Sequence, residues 1–189
     1  MTDASVEQIV RVPVLETERL VLRGPRLADF ADSFGMWRLP EVNKHIGGKP
    51  RTEEDSWSRL QRYVGHWALL GFGMWMVREK SSGAYVGEVG FMDNRREMTP
   101  AFTAVEVGWV LMPQHHGKGY ATEAMRAALA WGDDHFTRAP LDERLVRGRV
   151  ECIIDDGNDA SVRVATKLGF VRLGTADFKG EPVVLYRRG

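Results

Sequence analysis

Hydrophobic and polar positions follow two periods along the chain, and the points where one gives way to the other mark out the elements. Residues 17–23, T-E-R-L-V-L-R, set Leu20 and Leu22 among charged neighbours, the alternation of a half-exposed strand. Leu27 to Phe30 open a helix predicted to run to about Trp37, with Pro40 ending it. After a Gly/Pro loop over 45–52, Thr52 caps a helix whose first turn holds Glu53, Glu54 and Asp55 and which should reach Leu70 before Gly71 or Gly73 stops it. Strands follow at 73–79 and 84–92 around the turn Ser81-Ser82-Gly83, then a polar loop over 93–102. Residues 105–112 are β-branched and apolar like a buried strand, which Pro113 closes. From Ala121 the stripe Ala121, Ala124, Met125, Ala128, Leu129 and Phe136 is that of an amphipathic helix. A connection over 137–144 leads to a strand at 146–154. Asp156 to Ser161 then cap a short helix that Gly169 ends, and 171–175 and 183–187 form a last hairpin around Lys179-Gly180. This order predicts an α/β (α+β) fold, a single domain with helices flanking a mixed, mostly antiparallel sheet.

Composition narrows the function classes. The 189 residues are 43% apolar and 28% charged, as in an ordinary globular protein, and 26 basic residues balance 26 acidic ones. A neutral chain lacks the basic footprint of a nucleic-acid binder. No apolar run approaches a membrane span, so no membrane partner is expected. The single cysteine, Cys152, cannot form an internal disulfide and fits a reducing, cytoplasmic setting. Residues 1–10 read as a loose lead-in to a domain spanning 11–189, with no internal repeat or interdomain linker.

The most informative stretch joins the buried strand to the amphipathic helix: Gln114-His115-His116-Gly117-Lys118-Gly119. Two glycines permit backbone angles that turn successive N–H groups toward one point, and the helix start adds unpaired N–H groups and a positive dipole end. Such a turn suits a pyrophosphate. It is not a Walker loop, because Gly119 and Tyr120 follow Lys118. It is a poor dinucleotide fingerprint, because Thr122 stands where a third glycine is needed.

The pattern Gln-x-x-Gly-x-Gly, running from strand into helix, resembles the acetyl-CoA loop of the GNAT N-acetyltransferase superfamily. H-G-K-G-Y-A-T-E-A is similar to its ribosomal-protein-acetylating, RimJ/RimL-like branch. Two distant strings share that resemblance, T-E-R-L-V-L-R-G-P-R-L-A-D-F near the start and Asn158-x-x-Ser161 with Lys167-Leu168-Gly169-Phe170 near the end. The resemblance implies a GNAT domain in which splayed central strands form an acetyl-CoA cleft, and direct acetyl transfer to an amine. It implies pantetheine contacts from Val110, Leu111 and Met112, and pyrophosphate contacts from Gln114, Gly117, Gly119, Tyr120 and Ala121. Lys118 and Thr122 could add side-chain contacts, Lys118 being equally readable as a solvated charge. Asn158 reads as a pantetheine contact, a helix cap, or both.

Acetyl transfer requires an amine stripped of a proton, a donor for the oxyanion and a proton for the leaving thiolate. Glu106 is a lone acid in an apolar strand segment. It is the candidate base, acting directly or through water, with an arginine ion pair as the competing role. Many GNAT enzymes place a tyrosine four residues before the glycine of the last helix, where this chain has Ala165. Ser161 is therefore the candidate thiolate acid, or a residue that stabilises the helix start. His115 and His116 lack a third ligand at zinc-like spacing and read as exposed loop, so no metal is expected. Cys152 reads as core. Trp57, Trp67 and Trp75 either line the acceptor pocket or, by default, fill the core. The expected function is acetyl-CoA-dependent N-acetyl transfer to a peptide N-terminus or a small-molecule amine. A CoA-binding regulatory or acyl-sensing domain without catalysis is the alternative, and a homodimer through a strand edge is compatible with either.

Overall fold

The computed structural model describes residues 11–139 and 141–189, so the expected lead-in at 1–10 lies outside the described residues. The elements are β1 Leu15–Glu16, β2 Leu20–Arg23, α1 Phe30–Trp37, α2 Pro40–Asn43, α3 Glu53–Leu70, β3 Met74–Glu79, β4 Tyr85–Met92, β5 Met98–Thr99, β6 Val105–Leu111, α4 Tyr120–Arg138, β7 Val150–Asp155, α5 Asp159–Lys167, β8 Val171–Phe178 and β9 Glu181–Arg188. They form one nine-stranded sheet in the order β1-β2-β3-β4-β6-β7-β9-β8-β5, antiparallel except where β6 meets β7. Helices α1, α2 and α3 cover one face through Met36, Trp37, Val42, Leu60 and Tyr63. The other face is covered by α4 and α5, with Met125, Leu129, Ala165 and Leu168 in its core.

The local signals for α3 act as expected. The Thr52 hydroxyl accepts from the Asp55 N–H, the Asp55 carboxylate accepts from the Thr52 N–H, and Gly71 takes the left-handed conformation that ends the helix. Three expectations are corrected. Pro40 opens the short α2 at a position where its missing N–H is harmless, besides following α1. The loop over 93–102 contains β5, which pairs with the hairpin tip of β8 at Phe178 and Asp177. The strand expected from 146 begins at Val150. Before it the Val146 N–H reaches the Thr103 carbonyl, the Arg147 guanidinium caps the Phe136 and Ala139 carbonyls, and Gly148 turns at φ 73°.

Asp29 ties β2 and β3 to the helical layer. Its buried carboxylate accepts from Arg23 Nη2 at 2.6 Å, Arg78 Nη2 at 3.0 Å and the Arg26 N–H at 2.8 Å. Burial by itself raises the Asp29 carboxyl, but these donors outweigh it and hold the group below its ordinary 3.8. A lowered folded-state value means stability that is complete above the unfolded value and lost as the pH falls through the folded one. Asp29→Ala is expected to lower the unfolding free energy at neutral pH by about 2–3 kcal/mol, because Arg23 loses its carboxylate and Arg78 keeps only the more exposed Asp32 as an ion-pair partner. Urea denaturation of both proteins should show that gap narrowing below pH 4, roughly the ordinary carboxylate range.

Candidate active site

Strands β6 and β7 are partners over two residue pairs, Val105–Val150 and Glu106–Glu151, and then part. Each keeps a ladder on its outer side, β6 to β4 as far as Leu111 and β7 to β9 as far as Asp155. The Met112 N–H bonds the Val86 carbonyl, which sets the alternation of backbone groups along β6. Val110 and Met112 therefore turn their N–H groups toward β4, and Trp109 and Leu111 turn theirs toward the gap. The Leu111 carbonyl is met by His116 Nε2 at 3.0 Å. Backbone amides facing a gap inside a sheet need a partner. An amide-bearing chain such as pantetheine fits that demand.

At the wide end of the gap stands the Gly-rich loop. Gly117 and Gly119 have φ of 74° and 79°, the left-handed region, and Gly119 is the N-terminal cap residue of α4. With no capping side chain, the first N–H groups of α4, those of Tyr120, Ala121 and Thr122, have no partner within the helix. Gln114, Lys118 and both glycines are exposed around this opening, whereas Tyr120 is buried and donates from its hydroxyl to Glu79. His115 is buried too, which corrects its reading as exposed loop; its ring packs 5.8 Å from Tyr120, and burial lowers its imidazole.

A clamp that no sequence motif announces fixes this loop. The Glu123 carboxylate accepts from the Thr17 hydroxyl at 2.6 Å, the Arg19 N–H at 3.0 Å and Arg19 Nε at 2.7 Å. Arg19 Nη1 also reaches the Lys118 carbonyl at 3.0 Å, and its guanidinium lies 4.5 Å from the Tyr120 ring centre. Thus two strings about a hundred residues apart, T-E-R-L and A-T-E-A, dock on each other. Arg19 also offsets the acid that α4 carries close to its positive dipole end.

The two glutamates of the last paired rung, Glu106 and Glu151, point to the face covered by α1–α3. Arg96 donates from Nε to both oxygens of Glu106 at 2.9 Å, and Asn94 adds a longer contact of 3.3 Å. Glu151 accepts from the Thr103 and Ala104 N–H groups and from Arg187 Nη2 at 2.6 Å. Arg96 lies 4.8 Å from the Phe178 ring centre, so the loop over 93–97 and the β8–β9 hairpin wall this side. At the far end of β7, Asn158 caps α5 by accepting from the Ser161 N–H at 3.2 Å. Ala165, in the position that often holds tyrosine, is fully buried. Trp67 and Trp75 are core, whereas Trp57 is partly exposed against Phe30. Cys152 is buried, which pushes its thiol up and makes it a poor nucleophile.

A family model for the acetyltransferase (GNAT) domain matches residues 19–171. The chain belongs to the GNAT acetyltransferases. As a GNAT domain it is an acetyl-CoA-dependent acyltransferase, and the gap between β6 and β7 with the loop above it is the feature that suits the acyl donor. The protein YkkB of Bacillus subtilis (strain 168) is 31% identical, over 92% of this chain and 94% of its own length. A GnaT-family acetyltransferase structure from Bordetella pertussis is 33% identical with a TM-score of 0.78, covering 94% of this GNAT domain's chain and 99% of its own. The acetyltransferase of Agrobacterium tumefaciens str. C58 gives 26% and 0.79, with 95% of each chain covered. A RimL ribosomal L7/L12 α-N-protein acetyltransferase shares the fold at 16% identity and a TM-score of 0.68, over 93% of this chain and 97% of that one.

The clamp makes a structural prediction for this GNAT domain. Glu123→Ala should lower its stability by about 2 kcal/mol, the scale of losing several hydrogen bonds to one charged acceptor, as read by chemical denaturation.

Proposed function

We propose that this GNAT domain transfers acetyl from acetyl-CoA directly to a primary amine, either a protein N-terminal α-amine or a small-molecule amine, in the manner of the RimJ/RimL-like branch. The observation that carries the reading is the gap beyond the Glu106–Glu151 rung, with Trp109 and Leu111 turning amides into it and two left-handed glycines at its mouth. In this reading the loop N–H groups of Gly117 to Thr122 take the pyrophosphate, Lys118 adds charge, and the strand segment Val110 to Met112 guides the pantetheine. Glu106 faces the acceptor side. Arg96 and Asn94 meet both of its oxygens, so in this reading it acts on the acceptor at a distance, taking the ammonium proton through water. With its N–H held by Asn158, Ser161 keeps a hydroxyl for the leaving thiolate; among the described residues that hydroxyl makes no hydrogen bond.

The test is thiol release from acetyl-CoA against N-terminal peptides, amino acids, polyamines and aminoglycosides, with mass spectrometry of the acceptor. Turnover with one class and a gain of one acetyl group is expected; acetyl-CoA binding with silence across the panel would contradict the reading. Glu106→Gln should lower kcat roughly a hundredfold while acetyl-CoA affinity stays within about twofold. Wild-type turnover in that variant removes Glu106 from the chemistry. Gly119→Val forces a β-branched residue to a positive φ and should weaken acetyl-CoA affinity at least about tenfold in calorimetry.

A further inference from the structure

The pair His45–Asp155 bridges the mouth of the strand gap on the acceptor face. His45 follows α2 in a turn anchored by the apolar Val42 and Ile46, and its Nδ1 lies 2.7 Å from Asp155 Oδ2. Asp155 is the last residue of β7. Counted from the Glu106–Glu151 rung, Asp155 is four residues along β7 and Val110 four residues along β6. The even spacing keeps Asp155 on the face that carries Glu106 and Glu151. The dyad therefore stands level with Val110, within a residue of the gap-facing amides of Trp109 and Leu111. Glu106 lies roughly 13 Å further down the strand, at about 3.3 Å per residue.

The chemistry of the pair is specific. A carboxylate can only accept, so Asp155 holds the proton on Nδ1 and leaves the lone pair on Nε2. Among the described residues His45 Nε2 has no hydrogen-bond partner, and the side chain is 24% exposed. Glu106 differs, since Arg96 engages both of its oxygens.

We propose that His45 is a catalytic proton carrier for the transfer step and that Asp155 is its positioning residue, an inference that rests on the transferase reading above. The neutral amine attacks the thioester carbonyl, forming the N–C bond. Nε2 of His45 takes the proton that the nitrogen must lose. As the C–S bond breaks, the imidazolium returns that proton to the CoA sulfur by way of the Ser161 hydroxyl, which gives its own proton to the thiolate and takes one from Nε2, leaving amide and free thiol. Glu106 deals with the earlier proton, the one that separates ammonium from amine. The two acid–base groups thus divide between the depth of the gap and its mouth.

The experiment compares wild type, His45→Gln, His45→Ala, Asp155→Asn and Asp155→Glu in thiol release with the best acceptor, with calorimetry of acetyl-CoA binding. The expected result is a kcat lower by about a hundredfold or more in His45→Gln with acetyl-CoA affinity unchanged. Imidazole added to His45→Ala should restore part of the rate, and Asp155→Glu should retain more activity than Asp155→Asn, whose amide can donate to Nδ1 and move the proton to Nε2. A His45→Gln kcat within about threefold of wild type, or a loss in His45→Ala that imidazole does not relieve, overturns the proposal. A silent wild type would refute the transferase reading itself and the dyad's role with it; an active wild type beside an unimpaired His45→Gln refutes the dyad alone.

Discussion

The two-residue parallel pairing of β6 with β7 is the constraint on which the rest of the site depends. At Glu106 and Glu151 two carboxylates occupy neighbouring positions on one face, and bare charges so placed would repel and resist burial. Each is neutralised by its own arginine, Arg96 for Glu106 and Arg187 for Glu151. Glu151 also takes the two N–H groups just before β6 begins, which holds that strand beside β7 at this rung. Beyond it the strands keep only their outer partners, β4 and β9, so separating them sacrifices no existing ladder. The opening is built into the sheet.

Around that opening the fold places charges in pairs and leaves backbone donors free. Glu123, which would oppose an anion at the start of α4, is taken up by Arg19 and Thr17. The Asp155 carboxylate is hydrogen-bonded by His45 Nδ1. What remains uncompensated at the head of α4 is a set of N–H groups, and along β6 the amides of Trp109 and Leu111. A long donor carrying a pyrophosphate at one end and amides along its arm satisfies both sets, whereas a compact anion satisfies one.

The order of elements and the loop were legible in the sequence because they depend on local chemistry: Thr52 with Asp55, Gly71, Pro113, and Gly117 with Gly119. The strand expected at 146–154 extends too far because charged Arg147, Arg149 and Glu151 alternate with Val146, Gly148, Val150 and Cys152 in the period of a strand, while its true start depends on Arg147 and Val146 reaching other elements. Glu151 passed as one polar residue in a buried strand, since nothing local announces Thr103, Ala104 or Arg187. Arg19 and Glu123 were visible only as letters in two strings; their contact is a tertiary fact. His45 carried no motif at all, and its partner stands on the far side of the gap.

Hydrogen–deuterium exchange at single-amide resolution, with and without acetyl-CoA, reads whether the gap and its loop hold the donor. New protection is expected at Trp109 and Leu111 and at the loop and helix start from Gly117 to Thr122, with little change along β4, whose amides are already paired. Protection elsewhere, with the β6 gap amides and the loop exchanging at their free rates, would contradict it.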